Sequence, residues 1–131
     1  MGKQGEGDAM GYRELIKKIQ HDSGFSDAES KEALDQMVES IAERLTADER
    51  KDFASQLPQE LQDIALSADM PARDERHQDI IREFMEKENI DEARAKKQVL
   101  TAWGALKATI SPGEIEDIKA QLPSQAAAPL Y

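Results

Sequence analysis

The sequence predicts an all-α protein: a compact helical bundle of two tandem three-helix repeats, with six main helices and a short linker helix. Three observations support this fold class. Apolar residues recur with the period of an α-helix, helix start signals stand at regular places, and the second half of the chain restates the first. Together they predict a duplicated helical unit that buries one common core.

The duplication is visible without any gap. A shift of 65 residues aligns 12–58 with 77–123, and the stretch DFASQLP (52–58) returns as DIKAQLP (117–123). Apolar positions match as well as identities do: Tyr12, Leu15, Ile16 and Ile19 have the same spacing as His77, Ile80, Ile81 and Phe84. A core constrains where apolar residues stand more tightly than which ones they are. We therefore expect the two copies to fold alike.

Helix boundaries follow from these patterns, taken in chain order. Spacings of i, i+3, i+4 and i+7 mark amphipathic helices, and a proline after a leucine marks the end of the third helix in each copy. Pro58 can also start a short helix, PQELQDIAL, that leads into the connector. The main helices are predicted near 11–22, 26–45, 47–56, 76–88, 92–110 and 112–121.

Start signals support these boundaries. SDAE (26–29), TADE (46–49) and SPGE (111–114) each predict a capping box, in which a hydroxyl and a carboxylate satisfy free backbone amides at a helix start. Asp91 is the predicted N-cap of the remaining long helix. Gly24, and Asn89 in the second copy, suit the left-handed turn that ends a helix.

The domain organisation is simple. We expect a flexible leader at 1–10, a single helical domain at 11–123 and a flexible tail at 124–131. The domain divides into repeat one (11–58), a connector (59–75) and repeat two (76–123). A chain of 131 residues is long enough to bury roughly 65–70% of the surface that its unfolded form exposes.

Composition narrows the partners. Lys plus Arg number 17 against 27 Asp plus Glu, and the resulting net charge of −10 repels phosphate backbones and anionic lipids. We therefore expect no nucleic acid and no membrane among the partners. The chain has no cysteine and no secretory apolar segment, which favours a cytoplasmic location.

Two polar pairs occupy equivalent places in the copies. Asp52 and Gln56 stand four residues apart in the first, and Asp117 and Gln121 do so in the second. Such a pair on a helix face indicates either a local hydrogen bond or, as the sharper interpretation, a duplicated polar site.

His77 and Trp103 are the other residues that could carry chemistry. His77 takes the place of Tyr12 at a helix start, so it is either a half-buried amphipathic residue or a general base. Trp103 precedes Gly104 in mid-helix, where glycine costs ~1 kcal/mol relative to alanine. We expect a core tryptophan with a close helix approach at Gly104; the alternative is a ligand pocket floored by Trp103.

Metal and cofactor signatures are weak. Paired Glu-x-x-His motifs, which hold di-iron centres in helical bundles, do not occur, and the nearest pattern is Asp74-x-x-His77. We therefore assign no catalytic residue, no metal and no cofactor.

A basic island stands in this acidic chain and consists of Arg94, Lys96 and Lys97. It is either a solvated helix face or a contact surface whose charges guide a protein partner.

The same residues carry a resemblance. MGYRELIKKI from Met10, the glycine before FSDAESKEAL, and ADE followed by DFASQLP resemble the bacterial family called domain of unknown function 2267, over Met10 to Pro123. The resemblance implies an all-helical tandem repeat, with no catalytic residues to carry over. His77 in place of an aromatic residue and Asn89 in place of glycine depart from the pattern.

Two functions remain open at this stage. The first is a non-enzymatic protein-interaction or regulatory, stress-associated module that binds a protein partner or itself. The second is a small-molecule binding or catalytic domain that uses the cleft between the repeats. A thermal-shift screen against metals, nucleotides and metabolites separates them, because only the second predicts saturable stabilisation.

Overall fold

The computed structural model describes residues 10–68, 79–122 and 130, and the elements in these ranges are all helices. The all-α prediction is therefore confirmed for the described chain, and so is the short helix after Pro58. The tandem three-helix organisation stays a prediction from the sequence. The helices are α1 (Tyr12–Ser23), α2 (Asp27–Glu43), α3 (Ala47–Ser55), α4 (Gln59–Ser67), α5 (Ile80–Glu88), α6 (Glu92–Thr109) and α7 (Pro112–Gln121).

Helix ends follow the local chemistry of the sequence. The side chains of Ser26, Thr46, Asp91 and Ser111 each accept a hydrogen bond from the backbone N–H three residues later. At the other end, Gly24 has φ 81° and Asn89 has φ 55°, so both helices close in the left-handed turn that these two residue types adopt most readily.

A single apolar core runs through the bundle. Each helix contributes buried apolar side chains at helical spacing, and the aromatic rings of Phe53 and Phe84 are fully buried. The proline-preceding leucines predicted to close the core are buried too, with Leu57 and Leu122 only 4% and 3% exposed. Removing this apolar surface from water is the main stabilising term of such a fold.

The two halves of the chain pack directly against each other. α2 contacts α1 and α4 in its own half and α6 in the other, while α1 also packs on α6. α5 packs on α6, and α7 rests mainly on α3. Arg44, at the end of α2, is buried and donates to the Glu83 carboxylate on α5 over 2.8 Å. The halves thus share both core and buried charge.

Trp103 is 3% exposed and belongs to the core cluster, which fits the interpretation of a core tryptophan. The expectation for Gly104 is wrong. A Cβ built at Gly104 meets no other atom within 4 Å, and the residue is partly exposed, so none of the described helices approaches it closely. The glycine must have another explanation.

Several predictions fall outside the described residues: those on His77 and Asp74, on Pro123, on the leader and on most of the connector and tail. Leu130 is described by itself and is buried in the core cluster, 4% exposed.

Candidate functional site

The polar residues that recur in both halves meet where α3 packs against α7. We call this region the α3/α7 joint. It consists of Thr46, Glu49, Asp52, Gln56, Ser111, Glu114, Asp117 and Gln121.

The two glutamines of the joint cap each other's helices. Gln56, at the end of α3, accepts a hydrogen bond from the backbone N–H of Ser111, the N-cap of α7, over 2.7 Å. Gln121, at the end of α7, accepts from the backbone N–H of Thr46, the N-cap of α3, over 2.9 Å. Each helix therefore ends with a side chain that satisfies the start of the other. The glutamine oxygens are therefore used between the helices, whereas a local Asp–Gln bond would use the amide Nε2 of each glutamine and stays a prediction.

These exchanged caps alter the predicted capping boxes. In a full box the glutamate at the third helical position would accept the N-cap N–H. Here the hydroxyl halves form as predicted, but the glutamines take the N–H groups of Thr46 and Ser111. The carboxylate of Glu29, in the third box, bonds Arg94 and Gln98 on α6 instead. Only half of each predicted box is present, because the carboxylates are used between the halves.

Released from capping, two glutamates face each other in the joint. Glu49, Glu114 and Asp117 each offer a carboxylate oxygen, and these oxygens lie within 4.8 Å of one another. Glu114 is 6% exposed. Burial, a hydrogen bond with the Glu49 carboxyl and the charges of Glu49, Asp52 and Asp117 together raise the pKa of Glu114 to about 8. The joint therefore concentrates negative charge in a place with little water.

The other predicted site residues have separate positions. Arg94 makes a two-pronged ion pair with Glu29 and lies 4.7 Å from the centre of the Phe25 ring. Lys97 stands over the same ring at 5.2 Å, and Lys96 is exposed beside it on α6. Trp103 is in the core. The structure thus brings together the Asp52/Gln56 and Asp117/Gln121 pairs and leaves the basic island apart from them.

A second cluster of buried charges was missed in the sequence. Glu43 and Arg44 at the end of α2 meet Glu83 of α5. Burial, with a hydrogen bond to Glu83, raises the pKa of Glu43 to about 8. Burial alone would raise the pKa of Glu83, but bonds from Glu43 and Arg44 lower it. Glu83 sits inside an amphipathic helix with no sequence signal that it faces inward.

The α3/α7 joint was missed in part as well. The sequence pattern predicts a recurring polar pair from its glutamines and aspartates, but it places Glu49 and Glu114 in helix caps. The signal available was their equivalent place in both copies, seven residues before each glutamine. The sequence pattern does not show which helix each of these carboxylates faces.

Fold and site define a small all-α bundle protein, acidic in composition, with a carboxylate cluster between two helices. None of the described helices combines the length and the apolar character that a membrane crossing requires. Comparison with curated proteins found no significant match, and comparison with solved structures found none either. The family described as "Uncharacterized conserved protein (DUF2267)" matches residues 12–128, nearly the whole chain, and the protein belongs to this family.

Proposed function

We propose that the protein is a non-enzymatic protein-interaction module of the cytoplasm, with a regulatory role, and that the outward face of α6 binds an acidic partner protein. One observation carries the proposal: this face of α6 combines an exposed leucine with lysines that form no salt bridge among the described residues, in an otherwise acidic molecule.

The face has a clear composition. Lys96, Lys97 and Lys107 are exposed, and they surround Leu100, whose side chain is 43% exposed. Lys96, Leu100 and Lys107 are spaced i, i+4 and i+11, which places them on one side of the helix. We call this surface, with Gly104 between Leu100 and Lys107, the α6 face. An apolar centre with a polar, solvent-accessible rim is the usual arrangement of a protein contact surface.

Charge indicates the kind of partner. In the described part of the chain, none of the three lysines pairs with a carboxylate, whereas Lys18 and Lys31 each pair with an aspartate four residues on. The chain has a net charge of −10, and the charge of Lys97 acts on the Glu29 carboxylate, so among the described residues acidic side chains balance this face only in part. A complementary partner therefore presents carboxylates around an apolar side chain, and such charges accelerate association.

Gly104 fits the same surface. It is half-exposed, and the space where its Cβ would stand is open. Glycine in mid-helix destabilises a helix by ~1 kcal/mol relative to alanine. No packing among the described residues offsets this cost, so we assign Gly104 to the partner: its bare backbone lets an approaching chain come close to α6.

The test compares two faces of the molecule. Wild-type protein and the variants Leu100→Asp, Lys96→Glu and Leu66→Asp are used to capture proteins from native lysate, with quantitative mass spectrometry. Leu66 is the matched control, since it is 52% exposed on α4. Captured candidates are then purified and titrated directly, and self-association is followed by sedimentation.

We expect an acidic protein that binds wild type and Leu66→Asp, but binds the two α6 variants at least ~10-fold more weakly, with affinity falling at high salt. Equal capture by all four proteins contradicts the proposal. If wild type forms a dimer that the α6 variants lose, and no other protein is captured, then the partner is a second copy of this chain rather than another protein.

The alternative function, a small-molecule or catalytic site in a cleft between the halves, makes a different prediction. A hollow of about 220 Å³ lies between α2 and α4, lined by Glu39, Ile64, Ser67 and Ala68. It is smaller than the ~300–1,000 Å³ of ordinary ligand pockets and lies within the first half of the chain. Saturable stabilisation by a nucleotide or metabolite in a thermal-shift screen would favour this alternative.

A further inference from the structure

The carboxylates of the α3/α7 joint have a geometry that caps alone do not explain. Glu114 and Asp117 stand one helical turn apart on α7, and Glu49 approaches from α3. Because the exchanged glutamines fix the two helix starts against each other, the third residues of both helices point into one space. Three carboxylate oxygens then lie within 4.8 Å of one another.

A second observation points to a ligand in this space. The Glu114 side chain is buried, 6% of the residue being exposed, and its Oε2 has no hydrogen-bond partner. The Oε2 of Glu49 is likewise buried without a partner. Buried carboxylate oxygens are nearly always hydrogen-bonded, because an unpaired buried charge is strongly unfavourable. Two such oxygens in one cluster leave a place between them for a cation, or for a proton that the two carboxyl groups share.

We propose that Glu49, Glu114 and Asp117 form a binding site for one hard divalent cation, with Ca²⁺ preferred over Mg²⁺. Calcium takes oxygen ligands at ~2.3–2.6 Å, so two oxygens on opposite sides of the ion are up to ~5 Å apart. Magnesium, at ~2.0–2.1 Å, draws opposite oxygens to about 4.2 Å and demands regular octahedral geometry. Oxygens that lie within 4.8 Å of one another can all reach a Ca²⁺ ion as they stand, whereas separations above about 4.2 Å would have to shorten for Mg²⁺.

The surroundings set the strength of the site. Asp117 is exposed, so it offers an entry path and leaves room for water ligands. Asp52, which occupies the equivalent place on α3, adds negative charge near Glu114. The positive ends of two helices oppose the cation. We therefore expect a dissociation constant of roughly 10⁻⁵–10⁻³ M, in the range of weaker calcium sites. This site requires no partner on the α6 face, so it is independent of the proposed function.

The test uses full-length protein freed of metal by chelation. Calorimetric titration with Ca²⁺ at constant ionic strength should show saturable binding of one ion per chain, with Mg²⁺ at least ~10-fold weaker. The melting temperature should rise by roughly 4 °C at a tenfold excess over the dissociation constant.

Two variants localise the ion. Glu114→Gln should weaken Ca²⁺ binding at least ~10-fold and abolish the rise in melting temperature. Glu116→Gln is the matched control: it removes one charge from the same helix at a side chain that is 77% exposed, and should keep wild-type affinity within ~2-fold. Metal-free Glu114→Gln should melt no lower than metal-free wild type, because glutamine has the size of the glutamic acid and carries no charge, and this melt shows that the variant folds.

The outcomes are distinct. Absence of saturable Ca²⁺ binding overturns the proposal, and it means that the facing carboxylates share a proton instead. Equal weakening by Glu116→Gln and Glu114→Gln also overturns it, because the ion would then be attracted by the acidic surface as a whole. Tighter binding of Mg²⁺ than of Ca²⁺ overturns the stated preference.

Discussion

Gly104 shows how one residue can separate stability from function. Its open Cβ space and helical position mean that Gly104→Ala adds no clash and removes the entropic cost of glycine. We expect this substitution to raise the free energy of unfolding by ~0.5–1 kcal/mol, measured by urea denaturation. Gly24→Ala is the contrasting control: Gly24 has φ 81°, so alanine there should lower stability. A loss of stability in Gly104→Ala would contradict the open-space argument.

Glu43 is a residue whose charge opposes folding. It is buried beside Glu83 and Arg44, with Glu39 and Lys87 also contributing to its electrostatic surroundings. Its pKa rises from an ordinary 4.5 to about 8 in the folded chain, first through burial and then through Glu83. The folded protein therefore holds a proton on Glu43 that the unfolded chain has released at neutral pH.

The sign of the pH dependence follows. Between pH 4.5 and pH 8 the folded state binds more protons at Glu43, so this group's contribution to stability falls as pH rises through that window. We expect Glu43→Gln to be nearly neutral at pH 5 and stabilising at pH 8, a change on the order of 1–2 kcal/mol. Urea denaturation at both pH values measures it. The exposed Glu60→Gln serves as control, and an equal change in both variants would count against the assignment.

At the scale of helices, the exchanged caps make α3 and α7 depend on each other. Each N-cap N–H is satisfied by a glutamine from the far end of the other helix, so neither start is complete by itself. A neutral hydrogen bond of this kind contributes ~0.5–1.5 kcal/mol net. The arrangement also keeps the glutamates of both helices away from their own caps.

A mutant cycle tests this dependence. Gln56→Ala leaves the N–H of Ser111 free, and Glu114 can then turn back to complete its own capping box. We therefore expect Gln56→Ala to cost ~0.5 kcal/mol in wild type and about 1–1.5 kcal/mol in a Glu114→Met background, where the third helical position has no side-chain acceptor. Urea denaturation of the four proteins gives the coupling. Gln59→Ala, on the exposed start of α4, is the control and should show no coupling to the substitution at Glu114. If the costs of the substitutions at Gln56 and Glu114 simply add, the exchange of caps is contradicted.

The helices were predictable and their partnerships were not. The starts at Ser26, Thr46 and Ser111 could be predicted because a cap depends on the neighbouring three residues. The roles of Glu29 and Glu49 could not, since a carboxylate three residues into a helix reaches its own cap or a group on another helix equally well. Tertiary packing decided between these options, and it also gave Gly104 open space where sequence predicted a close contact.

At the scale of the whole molecule, the halves are joined in a way that leaves no natural point of separation. α1 and α2 both pack on α6, and the buried pair Arg44 and Glu83 spans the halves. Separating the halves would expose core side chains to water and leave each of these two charges without its partner, which is strongly destabilising. The chain should therefore unfold as one cooperative unit.

Two spectroscopic probes test this cooperativity. Trp103 is the single tryptophan and lies in the second half, whereas far-ultraviolet circular dichroism reports on all helices. We expect urea transitions from both signals to coincide in midpoint and slope. An earlier tryptophan transition would mean that the second half unfolds alone.

The positions that meet across the molecule have an evolutionary consequence. Glu29 bonds Arg94, and Glu49 faces Glu114; in each pair the second residue stands 65 places after the first. A substitution at one member of a pair changes the immediate environment of the other, so the two positions cannot change independently in evolution. Across homologous sequences, compensating changes should concentrate in pairs at this spacing, and the two halves should diverge in step with each other.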